Sequence, residues 1–428
     1  MRTRQRFIMT ALLTLVTGVA DAQGLLIRNA TVHTLTSKGQ LENTDVLIED
    51  GRIKAIGKGI QSAGIERTID AAGKVVTPGI MAVFNQIGIR EIDALETTVD
   101  GVSQNEAFGA SFNLAEVFNP FSTLVPHNRI NGVTRTLVTP YPGHDLFAGQ
   151  ATIFSLSGEH TPILKRTAAI YAQFGEQGAA LAGGSRAAAL MQLNKALDDA
   201  REFAEHREAI RRGEWRELSL PADDLEALLD LVDGEIPLIV GVERASDIVS
   251  LLRFAKRQEI RLVIAGGAEA WMVAAQLAEA KVPVILDPMD NIPGSFQSLG
   301  QRADNAALLH KAGVEVIFTG PGFQSSHNAY LVRQAAGNAV ANGMPYDAAL
   351  KAFTLTPARV FGGATEYGRI APGLQAELVI WDGDPLEVTS EPVQVIIGGK
   401  AVAMVSRATR LRDRYMDITN QKEPAYRR

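Results

Sequence analysis

The sequence predicts an α/β chain: a (β/α)8 TIM-like barrel with a small β-sandwich formed by the N- and C-terminal segments. Two textures point to it. Both ends of the chain carry short strands joined by tight turns, and the middle alternates continuous apolar runs with amphipathic segments. Apolar runs without alternation are strands buried on both faces, as in a parallel sheet, and the amphipathic segments between them are the helices that cover it. The span between the two strand-rich ends, residues 80–365, has the length that a (β/α)8 barrel needs.

Taken in order, residues 1–22 read as a cleavable secretory leader. Arg2, Arg4 and Arg6 precede an uncharged apolar run at 7–19, and Ala20-Asp21-Ala22 sets small residues at the −3 and −1 positions before Gln23. The run is about 13 residues, short of the roughly 20 that span a bilayer, so no membrane span is expected in the mature chain. With no Cys available for a lipid anchor, the expected location is periplasmic or secreted. Residues 23–79 together with 366–428 are expected to form the composite β-sandwich. Strands are predicted at 25–35, 45–49, 52–56 and 68–76, with Asp50-Gly51 as a hairpin turn, because Gly supplies the positive φ such turns require. The C-terminal counterpart has strands at 376–381 and 393–397, a turn at Asp382-Gly383-Asp384-Pro385 and another at Gly398-Gly399. The polar stretch 408–428 is expected as a peripheral tail or cap.

Within the barrel region, strands are predicted at 134–139, 237–242, 261–264, 282–286 and 314–318. Helices are predicted at 246–258, where Ile248, Leu251, Leu252 and Ala255 share a face, and at 269–280 and 328–341. Residues 183–212 read as one long helix or a helix pair on the solvated outside. A doubly wound open sheet is the alternative architecture, but no G-x-G-x-x-G follows a strand to support a dinucleotide site.

Composition narrows the function classes. Forty-two basic and 48 acidic residues give a formal charge of −6 with no basic stripe, so no nucleic-acid partner is expected. The absence of Cys excludes disulfides, thiolate metal sites and Cys nucleophiles. An apolar content of 46% at this length can fill a large core. The seven histidines are His33, His127, His144, His160, His206, His310 and His327. Of these, His144-Asp145 follows a strand and the turn Pro140-Tyr141-Pro142-Gly143, which makes it a candidate for the barrel mouth, where active sites of this fold gather. Glu243 and Glu269 also follow strand ends and are candidate paired carboxylates. Acid/base work would require their pKa values to be pushed apart, whereas a helix-start role would use the Glu269 charge against the helix dipole. Asp287 and Asp290 lie beyond another strand and read as turn residues.

The segment Asp70-Ala71-Ala72-Gly73-Lys74-Val75-Val76-Thr77-Pro78-Gly79 resembles the entry to the first barrel strand in the amidohydrolase superfamily, especially its imidazolonepropionase-like branch. Leu355-Thr356-Pro357-Ala358-Arg359 and then Gly373-Leu374-Gln375-Ala376-Glu377-Leu378-Val379-Ile380-Trp381 resemble the same superfamily's exit from barrel to sandwich. The resemblance implies hydrolysis of C–N or related bonds by one or two divalent metals, typically zinc, held at the barrel mouth by imidazole and carboxylate ligands. It also implies where those ligands should stand. A His-x-His pair is expected just after Pro78-Gly79, where this chain has Phe84-Asn85-Gln86. Single histidines are expected at Gly241 and Gly266, and an aspartate after Thr319, at Gly320. The bridging Lys of some members falls on neither Lys165 nor Lys195 with any clarity. No metal or other cofactor is therefore expected here.

Two functions follow. The first is an exported homologue that is non-catalytic or strongly altered and binds a small amide or peptide-like ligand, or a catalytic paralogue in a mixed oligomer. The second is an active hydrolase of C–N bonds using a relocated or metal-independent site among His144, Asp145, Glu243 and Glu269.

Overall fold

The computed structural model describes residues 24–322 and 325–416; the expected leader and the last part of the expected tail lie outside the described residues. The chain opens with β1 (Gly24–His33), β2 (Gln40–Glu49), β3 (Arg52–Gly57), β4 (Ile65–Asp70) and β5 (Val75–Pro78). It continues through β6 (Ile80–Asn85), β7 (Val133–Val138), β8 (Phe147–Ser155), β9 (Ile163–Gln173), β10 (Leu238–Val242), β11 (Leu262–Gly266), β12 (Val284–Leu286) and β13 (Val316–Phe318). It closes with β14 (Leu378–Trp381), β15 (Pro392–Ile397) and β16 (Lys400–Ala401).

The two ends of the chain meet in one sheet of order β16-β15-β14-β5-β1-β2-β3, with β4 as a branch on β1. The first half of β1 pairs β4 and the second half pairs β5, both parallel, while β2 runs antiparallel on the other side. The β2–β3 hairpin turns at Asp50-Gly51, whose φ values of 51° and 77° are the left-handed pair that matches the twist of the flanking strands. This module has its own core, including Ile27, Val32, Val46, Ile48, Val76, Leu378 and Ile396.

The barrel sheet has the order β13-β12-β11-β10-β9-β8-β7-β6. Pairs β6–β7, β9–β10, β10–β11, β11–β12 and β12–β13 are parallel. The exception is β8, which is antiparallel to both β7 and β9. β6 and β13 stand at the two ends of this order, and Thr319 Oγ1 bridges them by donating to Val83 O at 3.0 Å. Strand residues segregate by face, as a period of two demands. Ile239, Val263, Ile285 and Ile317 fill the barrel axis. Leu238, Val240, Val242 and Ile264 pack outward against helical residues such as Ile248, Leu251 and Phe254.

Three features differ from the sequence expectation. β8 and β9 are long, paired strands outside the predicted set: Phe147–Ser155 mixes small and polar residues, and Ile163–Gln173 is interrupted by Lys165-Arg166-Thr167. The segment expected as one helix at 269–280 begins as a 3-10 turn, Ala270–Val273, before the short helix Ala274–Glu279. The long helix Arg186–Arg211 is not merely solvated: Ala189, Leu193, Leu197, Ala200 and Phe203 are fully buried on one face. It breaks at His206, whose ring stacks on Trp215 with centroids 3.9 Å apart. Among the described residues, no helix is long and apolar enough to cross a membrane.

Barrel and terminal sheet are joined by a buried seam. Gly79 N donates to Glu377 O at 2.8 Å. Arg135 Nη2 lies 3.1 Å from Glu377 Oε1, with both side chains about 5% exposed or less. The Arg135 guanidinium rests 3.8 Å from the centre of the Tyr367 ring and also donates to Gln375.

Candidate functional site

The C-terminal ends of the barrel strands enclose a cavity of about 520 Å³. Phe84 from β6, Tyr141 from the loop after β7, Glu243 just past β10 and Gly266 at the end of β11 line it. So do Ile285, Asp287, Met289 and Asp290 on and after β12, and Thr319 and Gly320 after β13. Strand ends converge here because the parallel sheet points them all to one face.

The residues at the strand ends are arranged against one another rather than toward a metal. Phe84 has φ of 58°, a left-handed conformation that is costly for a bulky side chain and requires its surroundings to hold it. Its ring meets Tyr171 edge-on at 5.0 Å. Gln86 is fully buried and faces away from the cavity: its amide donates to Gly101 O at 3.1 Å, while its backbone N–H donates to Ser326 Oγ at 2.9 Å. Gln86 Oε1 and Asn85 Nδ2 are buried without partners among the described residues.

Gly241 faces the barrel axis, and a Cβ there would stand 2.4 Å from Gln173 Oε1 and 2.8 Å from Tyr171 Oη. Those two atoms are themselves joined, Tyr171 donating to Gln173 Oε1 at 2.6 Å. Gly266 has φ of +92°, and a Cβ there would fall 2.2 Å from Glu243 Oε1. At Gly320 the nearest atoms to a Cβ are 3.4 Å away, so only this one of the three glycines has room for a side chain.

Glu243 is the chemically distinctive group. Its Oε2 accepts from Ala268 N at 2.8 Å, and its Oε1 has no hydrogen bond among the described residues. Burial pushes its carboxyl up to about 7, and the charge of Asp290 adds to that, against the lowering effect of the Ala268 N–H. Asp287 is also raised, first by burial, although Met289 N (2.9 Å) and Gly322 N (3.2 Å) donate to it. The turn role expected for Asp287 is thus present, but the same residue also lines the cavity.

The other candidates lie elsewhere. Asp145 accepts from Phe147 N at 2.9 Å and borders a second cavity, between its loop and the long helix, that also holds Lys195 and Ser219. Its carboxyl is raised by burial and by nearby Asp224. His144 Nδ1 is buried without a partner beside it. Glu269 accepts from Ala245 N (2.9 Å) and Gly300 N (3.2 Å), and so caps the helix Ala245–Gln258. Lys165 lies near the opposite end of β9, donating to Phe361 O at 3.3 Å. His127 and His327 hold the loop after β13, through Asn328 Oδ1 (3.3 Å) and Glu91 O (3.1 Å) respectively. Of the four proposed catalytic candidates, only Glu243 lines the mouth cavity.

The residues present do not fit a superfamily-type metal. Among the described residues no three His, Asp or Glu side chains are grouped to hold one. The two largely buried carboxylates of the cavity are bound to backbone amides. Sequence reasoning missed Tyr171, Gln173 and Tyr141; the first two sit on β9, a strand whose apolar residues are interrupted by Lys165-Arg166-Thr167.

Glu243 yields a pH prediction. A carboxyl with a folded pKa near 7 and an unfolded value near 4.5 binds its proton more tightly in the folded state. Its contribution to stability is full below pH 4.5 and is lost as pH rises through 7. Glu243→Gln is expected to remove that slope, so that relative to wild type the variant gains on the order of 3 kcal/mol between pH 4 and 8. Urea unfolding of both proteins across that range checks this; parallel pH profiles would refute it.

Comparisons with known proteins bear on the fold and its lineage. Residues 242–402 match the amidohydrolase family. The chain is 22% identical over 392 residues to amidohydrolase tasK of Hapsidospora irregularis, covering 83% of this chain and 39% of that protein. It is 45% identical over 58 residues to a dihydroorotase of Lactobacillus helveticus, covering 14% of this chain and 12% of that enzyme. The chain thus spans well under half the length of either relative. The crystal structure of an amidohydrolase from Thermotoga maritima MSB8 superposes with a TM-score of 0.78 at 24% identity, over 89% of this chain and 99% of that one.

Proposed function

The chain belongs to the amidohydrolase superfamily, and from that premise we propose that its barrel mouth binds a small amide or peptide-like ligand instead of hydrolysing it with metal. The observation that carries this reading is the filling of the inward space at Gly241 by Tyr171 and Gln173 and at Gly266 by Glu243. With Phe84 at the end of β6, these are the positions where the superfamily resemblance calls for metal-ligating histidines. Positions without ligating side chains, two of them with their side-chain space taken by neighbours, support a site that does not activate water through a metal held there. The basic, apolar leader at residues 1–22 supports placing this activity in the periplasm or outside the cell. A catalytic paralogue in a mixed oligomer is the partner consistent with a fold retained without its metal chemistry.

Metal analysis of the purified chain tests the reading. Only trace zinc is expected, unchanged by dialysis against zinc, and near-stoichiometric zinc removed only by strong chelators would overturn it. A second reading has one observation in its favour, the Glu243 carboxyl near 7 in the mouth. A group poised there can take and return a proton at neutral pH, as a metal-independent hydrolase would require. Turnover of N-acyl amino acids, dipeptides or cyclic amides that is unaffected by chelators and abolished in Glu243→Gln would establish this second reading in place of the first.

A further inference from the structure

We propose that the helix Arg407–Met416 docks on an anionic phospholipid surface, with Leu411 and Tyr415 entering the interface and its arginines at the phosphates. The proposal is independent of the reading of the barrel mouth. The helix lies in the stretch expected as a peripheral tail. Four of its ten residues are arginines, Arg407, Arg410, Arg412 and Arg414, in a chain whose formal charge is −6. Its one carboxylate, Asp413, is paired with Arg412 at 2.8 Å.

The way the helix faces is what points to a surface. At 3.6 residues per turn, Ala408, Leu411 and Tyr415 share about 60° of arc. Arg407, Arg410 and Arg414 flank this strip on one side and Arg412 on the other, while Thr409 and Asp413 fall opposite it. Thr409 is the only residue of the helix that is not exposed. The polar side therefore rests on the protein, beside the helix Leu124–Ile130. The apolar strip faces away: Leu411 is 42% and Tyr415 65% exposed, and no residue of the helix is buried. A helix that stabilised the fold through its apolar face would lie the other way round.

The surroundings of the helix carry the same two properties. Lys400, Arg407 and Arg410 border a groove of about 630 Å³ whose lining holds one carboxylate, Glu159, and the exposed ring of Phe121. Lys400, Arg407 and Arg410 are in no ion pair among the described residues. A cationic rim thus surrounds exposed apolar side chains. An anionic bilayer complements both, because its phosphates accept from guanidinium N–H groups while its acyl boundary takes up Leu411, Tyr415 and Phe121. Tyr415 suits the headgroup level, where its ring is covered and its hydroxyl stays wet. A soluble polyanion would match the charge but leave the apolar strip in water. A second copy of this acidic chain is the competing occupant.

The test measures binding of the purified chain to phosphatidylcholine vesicles with and without about 30% phosphatidylglycerol. At about 0.01 M salt, co-sedimentation is expected to show partitioning onto the anionic vesicles about tenfold or more above that onto the neutral ones. Raising the salt to about 1 M should remove most of that difference, because charges are then screened within about 3 Å. The triple variant Arg407→Gln, Arg410→Gln, Arg414→Gln should lose the preference for phosphatidylglycerol. The double variant Leu411→Glu, Tyr415→Glu should bind the anionic vesicles about tenfold or more weakly than wild type. All five positions are exposed, so both variants are expected to keep the wild-type unfolding transition. Equal binding to the two vesicle types, no binding to either, or wild-type binding by either variant would overturn the proposal. So would a dimer in sedimentation velocity that the double variant dissociates, since a second copy would then cover the strip.

Discussion

Gly266→Ala is expected to destabilise the fold by about 3 kcal/mol or more, an unusually large effect for adding one methyl group. Two costs combine. The backbone at position 266 has φ of +92°, where an L side chain is strained by roughly 1–3 kcal/mol. The added Cβ would also lie 2.2 Å from Glu243 Oε1, so the carboxylate must leave its bond to Ala268 N or the strand end must shift. Overpacking of that kind adds about 1–3 kcal/mol. Gly266→His carries the same Cβ and a larger ring, so rebuilding a histidine ligand by one substitution is expected to fail on folding before it can be judged on metal binding. Denaturant unfolding of Gly266→Ala beside Gly320→Ala separates the two situations. Position 320 has 3.4 Å of clearance, and alanine there is expected to cost less than about 1 kcal/mol. Equal losses at the two positions would contradict this account of the site.

Arg135→Met is expected to cost about 3–5 kcal/mol, because it strands the buried Glu377 carboxylate without its cation. Burial already pushes Glu377 up despite Arg135 beside it, so the pair is held with little to spare. The guanidinium also covers the Tyr367 ring, and that contact is lost in the same change. Adding Glu377→Leu to Arg135→Met removes the orphaned charge and is expected to recover more than half of the loss. Thermal unfolding of wild type, both single variants and the double variant measures this. A double variant no more stable than Arg135→Met alone would show that the seam depends on the salt bridge itself rather than on avoiding an unpaired charge.

What could be read from the sequence depended on how local the signal was. β10 to β13 are short, apolar and buried on both faces, so their runs alone marked them. The hairpin at Asp50-Gly51 was equally legible, because its chemistry is confined to two residues. β8 was not, since its burial comes from partners on both sides and its own residues, such as Ala148, Gly149 and Gln150, carry little β preference. The same limit governed the site. The glycines at 241, 266 and 320 were visible as glycines once the resemblance indicated where to look. What occupies their side-chain space was not, because Tyr171 and Gln173 arrive from β9 and Glu243 folds back over its neighbour. His144 and Asp145 looked like mouth residues from their place after a strand. The chain instead turns there into the antiparallel β8, which carries Asp145 to a different cavity.

The pairing of β5 with β14, which aligns Thr77 with Val379, has a consequence in time. Position 379 is synthesised about 300 residues after position 77, and at roughly 5–20 residues per second the interval is on the order of tens of seconds. Throughout it β5 has one bare edge, available for pairing with any other extended chain. Until β14 arrives, the safest state for a nascent copy is to keep that edge covered by another protein or to remain unfolded.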